Sequence, residues 1–158
     1  MHNHWIVDTN VLVVANNLPD SHAAPSCIQA AIAFLISLKN NGHLVVDADY
    51  AIIKEYINNA KSTGQGGVGD AFLKWVLQNR ANSNRCTQVQ ITHHPDREYK
   101  EFPDDPNLIS FDRSDRKFVA VALAHPGHPP IVNAVDSDWG NAIDTLGSHG
   151  VQVHQLCP

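Results

Sequence analysis

The sequence predicts an α/β fold, a three-layer α/β/α sandwich around a central, mainly parallel sheet. Three observations carry this reading. Short apolar runs rich in β-branched residues, such as Ile6-Val7, Leu44–Val46 and Ile131–Val135, do not alternate with polar residues, as strands covered on both faces do not. Segments with helical apolar spacing separate those runs along the chain. The 158 residues, 43% of them apolar, suffice for one domain, 1–158, with a substantial core.

In chain order, Trp5–Val7 reads as a strand ending at Asp8, and Val11–Ala15 as a short helix or loop. The Pro19, Asp20, Ser21 and Pro25 of residues 16–25 mark a loop. Ser26 is expected to cap a helix to Lys39 that Asn40-Asn41-Gly42 stops. His43–Val46 is a buried strand. Asp49 is expected to cap a helix over Tyr50–Lys61. The STGQGGVG stretch, Ser62–Gly69, is a flexible connection lacking the Lys-Ser/Thr of a phosphate-binding loop. Asp70 then caps a third helix. Cys86–Thr92 reads as a strand and His93–Pro106, with three prolines, as a long loop. Asp112 caps a fourth helix that stops at His125-Pro126-Gly127. Ile131–Val135 is a strand ending at Asp136. A short helix, Asn141–Leu146, and a last strand, Val151–His154, complete the pattern.

Composition excludes several classes. No apolar run approaches the roughly 20 residues of a membrane span, and the N-terminal residues lack the basic-then-apolar order of a signal peptide. Cys27, Cys86 and Cys157 form no CxxC pair, so neither a disulfide framework nor a structural zinc site is expected, and a cytoplasmic location fits. A net charge of −5 argues against nonspecific coating of nucleic acid. The ten histidines show no zinc-ligand spacing and read as scattered surface residues; His2 and His4 resemble an HNH start only by letters.

The acids are skewed, 13 Asp to 3 Glu. Asp favours caps, turns and rigid oxygen-ligand sites. Asp20, Asp49, Asp70, Asp104, Asp105, Asp112 and Asp144 have cap or turn readings. Asp8 and Asp136 close two apolar strands, where ligands of parallel sheets sit; each also has a plain reading as a turn residue. Asp138 could equally cap the helix near Trp139, Asp115 could simply favour a helix N-terminus, and Glu55 could be a solvated helical acid. Brought together, such carboxylates repel by roughly 3–4 kcal/mol per pair at about 4–5 Å and an effective dielectric near 20. A cluster of them persists if protonated or if it holds a cation. With no His or Cys beside them, the hard oxygen donors point to Mg²⁺ or Mn²⁺ and to metal-assisted phosphodiester chemistry.

Four stretches, IVDTNVLV (Ile6–Val13), IIKEYI with Glu55, SDRKFVAVALA with Asp115, and VNAVDSDW with Asp136 and Asp138, together resemble the PIN-domain family in order and spacing over nearly the whole chain. The resemblance implies an α/β/α sandwich and a Mg/Mn-dependent endoribonuclease with Asp8, Glu55, Asp115 and Asp136 as the acidic site. Asp8, Asp115, Asp136 and Asp138 would be the metal ligands, Asp138 as an auxiliary acid, and Thr9 would orient Asp8. It further implies an RNA substrate, a homodimer and, in toxin–antitoxin members, an antitoxin partner. One position departs: the Thr or Ser usual two residues before the last acid is Ala134, with Asn133 as its possible replacement.

Basic residues concentrate between Lys74 and Lys117, 8 of the 11. Arg113, Arg116 and Lys117 flank Asp115 and are the candidate RNA-phosphate contacts, a solvated helix face being the plain alternative. Trp139, beside the acids, packs in the core or stacks a base. Two other classes stay open: a PIN-like module that binds RNA or protein without turnover, and a phosphatase. The second is weak, because an aspartyl-phosphate route needs an acid at position 10 and this chain has Asn10.

Overall fold

The computed structural model describes residues 3–157; Met1, His2 and Pro158 lie outside the described residues. Seven strands and six helices follow in the order β1 (His4–Val7), α1 (Thr9–Ala15), α2 (Pro25–Asn41), β2 (His43–Asp47), α3 (Ala51–Asn59), α4 (Val68–Asn79), β3 (Cys86–Val89), β4 (His93–His94), β5 (Glu98–Tyr99), α5 (Arg116–Ala124), β6 (Ile131–Asn133), α6 (Ser137–Ser148) and β7 (Val153–Gln155). Short 3₁₀ turns at Pro106–Leu108 and Arg113–Asp115 precede α5.

Five strands form one parallel sheet in the order β3-β2-β1-β6-β7, so the fold is the α/β/α sandwich the sequence predicts. The chain begins at the sheet's centre, winds outward through β2 to β3, then returns past β1 to β6 and β7. Because parallel crossovers are as a rule right-handed, winding in two opposite directions covers opposite faces. α1, α2 and α4 pack on one another, while α5 runs along β1, β2 and β6. Ile6, Val7, Leu44, Val45, Val46, Ile131 and Val132 are fully buried, which accounts for their unbroken apolar character. The winding reverses between β1 and β6, and the carboxyl ends of these two strands flank the crevice where such sheets bind ligands.

Several boundaries differ from expectation. Pro25 starts α2 with Ala24 at the cap position, and Ser26 lies inside the helix. α3 is capped by Asp47, not Asp49: the buried Asp47 carboxylate accepts the backbone N–H groups of Ala51 and Ile52 at 2.8 and 2.9 Å. Asp49 accepts instead from the Gln90 side chain. Asp70 sits buried in the first turn of α4, where its Oδ1 accepts from the Lys61 backbone and the Asn16 side chain, closing the glycine-rich connection onto α1. The 93–106 stretch contains the antiparallel β4–β5 hairpin, with His93 opposite Tyr99. β6 ends at Asn133, and Asp136 lies three residues on, as the cap of an α6 longer than expected.

The cysteine expectation is corrected outright. Cys27 on α2 and Cys157 beyond β7 form a disulfide across 130 residues, leaving Cys86 buried and free. No sequence spacing signals this pair, because only the folded sheet brings its last strand beside α2. Disulfides persist in oxidising compartments and are rare in the cytosol, so the unpaired-cysteine argument for a cytoplasmic location no longer holds. Among the described residues no helix is long and apolar enough to cross a membrane.

Two measurements test these assignments. Asp47→Ala should destabilise the protein by about 1–2 kcal/mol in urea unfolding, whereas Asp49→Ala should stay within about 0.5 kcal/mol of wild type. Reduction of Cys27–Cys157, or Cys157→Ser, should lower stability by about 2–4 kcal/mol, because the bridge restricts a very long loop of the unfolded chain.

Candidate metal centre

Asp8 follows the last residue of β1 and caps α1, its Oδ1 accepting the Asn10 backbone N–H at 3.0 Å. Its Oδ2 accepts the indole N–H of Trp139 at 2.6 Å. Asp115 ends the 3₁₀ turn that Asp112 caps, and Asp136 caps α6 by accepting the Asp138 N–H at 2.9 Å. These three local motifs, separated by more than a hundred residues at the extremes, converge at the β1–β6 crevice. One carboxylate oxygen from each of Asp8, Asp115 and Asp136 lies within 4.8 Å of the others. Asp115 also joins Asp112 and Asp138 in a second group of the same spacing. Asp138 thus stands with Asp112, which the sequence marked only as a cap.

The connection after β6 is held by two asparagines. Asn10 Nδ2 donates to Asn133 Oδ1, and Asn10 Oδ1 accepts the N–H groups of Ala134 and Val135 at 3.0 and 3.2 Å. Asn133 Oδ1 accepts the Asp136 N–H, while its Nδ2 donates to the Asp136 carbonyl and to Gln155 Oε1. This network fixes the backbone of Ala134, Val135 and Asp136.

Burial and like charge shape the acids. Asp8 is 4% exposed, and burial, opposed by the Asn10 and Trp139 hydrogen bonds and reinforced by the charges of Glu55 and Asp136, lifts its pKa to about 6. Burial followed by the charge of Asp8 pushes Asp115 to about 8. Asp138 is raised chiefly by the charge of Asp136. Two or three hard oxygen donors with excess negative charge and little access to water suit a small divalent cation such as Mg²⁺ or Mn²⁺. No lysine or arginine forms an ion pair with any of the three acids among the described residues.

The remaining sequence candidates divide. Glu55 is beside the cluster, but both of its oxygens are engaged: Lys117 Nζ donates to Oε1 at 2.9 Å and Thr9 Oγ1 donates to Oε2. Thr9 therefore orients Glu55, and the backbone of Asn10 orients Asp8. Lys117 is 8% exposed and also donates to the Ser114 carbonyl, so it is not free for an RNA phosphate. Arg116 is 4% exposed and its guanidinium donates to the carbonyls of Phe111, Leu108, Ile109 and Arg97 while lying 4.5 Å from the Phe102 ring centroid. It ties the 97–111 segment to α5, with its donors engaged by these carbonyls. Arg113 alone of the three keeps its side chain half exposed, near Glu98 at 3.5 Å. Trp139 is fully buried, which excludes stacking on a base. The contacts of Trp139 and Asn10 with the site, and the grouping of Asp112 with Asp115 and Asp138, escaped the sequence reading, since the first two span more than 100 residues and the third adds a neighbour to a residue read only as a cap.

Two grooves adjoin the acids. One, of about 540 Å³, is lined by Lys54, Glu55, Asn58, Glu98, Tyr99 and Arg113 among others. The other, of about 490 Å³, is lined by Asn133, Asp136, Ser137, Asn141 and Gln155 together with the disulfide. Comparison with known proteins returns nothing: no protein-family model, curated protein or solved structure matches this chain.

The raised acids fix a pH signature. A carboxyl bound more tightly to its proton in the folded than in the unfolded chain lowers stability as pH rises between the two pKa values. Metal-free protein should therefore lose stability from about pH 4 to about pH 8 through Asp8 and Asp115. Asp115→Asn should melt higher than wild type at pH 8 without metal and show no gain at pH 4. Relief of about 1–2 kcal/mol corresponds to roughly 2–8 °C at this size. The Mn²⁺-induced rise in Tm should be larger at pH 8 than at pH 5, because binding at pH 5 must displace protons; equal rises would contradict the assignment.

Proposed function

We propose that this chain is a PIN-like, Mg²⁺- or Mn²⁺-dependent endoribonuclease. The convergence of Asp8, Asp115 and Asp136 at the switch point of the parallel sheet carries the reading. A divalent ion bound there would supply an activated water and neutralise charge on a phosphodiester. The chain's own residues hold the ligands in place: Asn10 and Trp139 fix the Asp8 carboxylate, the Asn10–Asn133 pair fixes the loop bearing Asp136, and the Asp112 cap fixes Asp115. Glu55, held by Thr9 and Lys117, places a fixed charge at the mouth of the first groove.

A polymer suits the surroundings better than a small phosphate ester. The two grooves are built from different elements: the first, with Glu55 in its wall, from α3 and the β4–β5 hairpin, and the second, with Asp136 in its wall, from the β6–α6 connection and β7. Of the three cations lining the first groove, Lys117 is paired with Glu55, while Lys54 is exposed and Arg113 half exposed, so these two are placed to meet backbone phosphates, and Tyr99 offers a ring at the same wall. The filling of the Ala134 position by Asn10 and Asn133 favours retained turnover over a module that binds without cleaving.

The test is incubation of a labelled, structured RNA with Mn²⁺ or Mg²⁺, with and without EDTA. Cleavage should need the metal and fall by about 100-fold or more in Asp8→Asn and Asp115→Asn, equivalent to roughly 2.7 kcal/mol of transition-state stabilisation. RNA binding without cleavage by wild type would replace this reading with the binding module, and hydrolysis confined to small phosphate esters would replace it with a phosphatase.

A further inference from the structure

Trp139 is fully buried, yet its one polar atom points at an acid of the candidate centre. The indole N–H donates to Asp8 Oδ2 at 2.6 Å across 131 residues of chain. The other donor to this carboxylate, the Asn10 N–H, binds Oδ1 and is local. Such a turn contact comes with any Asp in this capping geometry and leaves the carboxylate able to pivot about its Cβ–Cγ bond. A second donor on the other oxygen stops that rotation.

The indole is itself wedged between the elements that carry the other two acids. It stands in the first turn of α6, the helix Asp136 caps. Phe111, just before the 3₁₀ turn of Asp115, meets it edge-on with centroids 5.2 Å apart, and Phe118, one turn after Asp115, does so at 6.3 Å. One rigid side chain therefore touches β1's acid by hydrogen bond, Asp115's flanks by ring packing and Asp136's helix by covalent connection. A phenylalanine would supply the packing but not the hydrogen bond, and a tyrosine would put its hydroxyl elsewhere.

We propose that Trp139 is a positioning residue of the metal centre: its indole N–H locks the Asp8 carboxylate so that the remaining lone pairs of Asp8 face the oxygens of Asp115 and Asp136. The proposal rests on the metal-centre reading above. It concerns an outer partner of a ligand, whose loss typically weakens metal affinity about 10–100-fold. It also gives the buried tryptophan a function separate from filling space.

The experiment titrates metal-free full-length protein with Mn²⁺, read by the electron paramagnetic resonance of free Mn²⁺. The proteins compared are wild type, Trp139→Phe, Asp8→Asn and the double variant, with thermal melting of each in parallel. In a further variant, 3-benzothienylalanine at position 139 replaces the indole N–H by sulfur at nearly the same size, so packing is preserved if Phe leaves a void. The expected result is a loss of Mn²⁺ affinity of about 10-fold or more in both Trp139 variants. In the Asp8→Asn background the Trp139 substitution should then add less than about a 2-fold loss, since its partner is already changed. Wild-type affinity in the benzothienyl variant would overturn the proposal while leaving the metal centre standing. So would an equal loss with and without Asp8, the mark of a residue that only supports the fold. Absence of Mn²⁺ binding by wild type would overturn the metal-centre reading and this proposal together.

Discussion

Mutual repulsion of two buried carboxylates and a partly buried third is the constraint around which this structure is arranged. Asp8, Asp115 and Asp136 present oxygens within 4.8 Å of one another at the one place in the sheet where the winding reverses. At that spacing each ionised pair costs about 3–4 kcal/mol at an effective dielectric near 20, and burial holds Asp8 and Asp115 toward their protonated forms. A fold built for stability alone would separate these groups. Here, instead, every neighbouring element contributes something that keeps them together: a cap, an indole N–H, or an asparagine bridge.

The supports form a closed circuit. Asn10, two residues after the acid that follows β1, binds Asn133 and the connection after β6; Asn133, the last residue of β6, binds the backbone of Asp136; Asp136 caps α6; and α6 returns Trp139 to Asp8. Each link is an ordinary hydrogen bond worth about 1 kcal/mol net. Their arrangement in a ring means that displacing one acid strains the seats of the others, which is how preorganisation is maintained without a rigid covalent frame.

The basic residues show the same economy of position. Three cations close in sequence to Asp115 meet three different fates. Arg116 is enclosed by carbonyls of the 97–111 segment, Lys117 lines the first groove but is paired with Glu55, and Arg113 stands at the same groove with its side chain half exposed. A guanidinium presents up to five N–H donors and fits a cluster of backbone carbonyls better than an ammonium does. Arg116 therefore organises the loop that lies over α5. The Cys27–Cys157 bridge adds a covalent anchor at the far edge, joining the residue after the last strand to α2 beside the second groove.

The amino-acid pattern by itself determined the α/β class, the parallel sheet and the positions of Asp8, Asp115 and Asp136 at element ends, because strand burial and helix capping are local consequences of residue type. It also marked Glu55 and Asp138 as acids to watch. What it left undetermined were the identities of partners. Asp47 rather than Asp49 caps α3, Thr9 serves Glu55 rather than Asp8, Trp139 faces a carboxylate rather than a base, and two distant cysteines meet. These outcomes depend on which strands become neighbours and on the angle at which helices cross them. Apart from the Asp47 cap, which is local, these contacts link residues 46 to 131 positions apart, and a linear pattern carries no distance across that span until the sheet closes it.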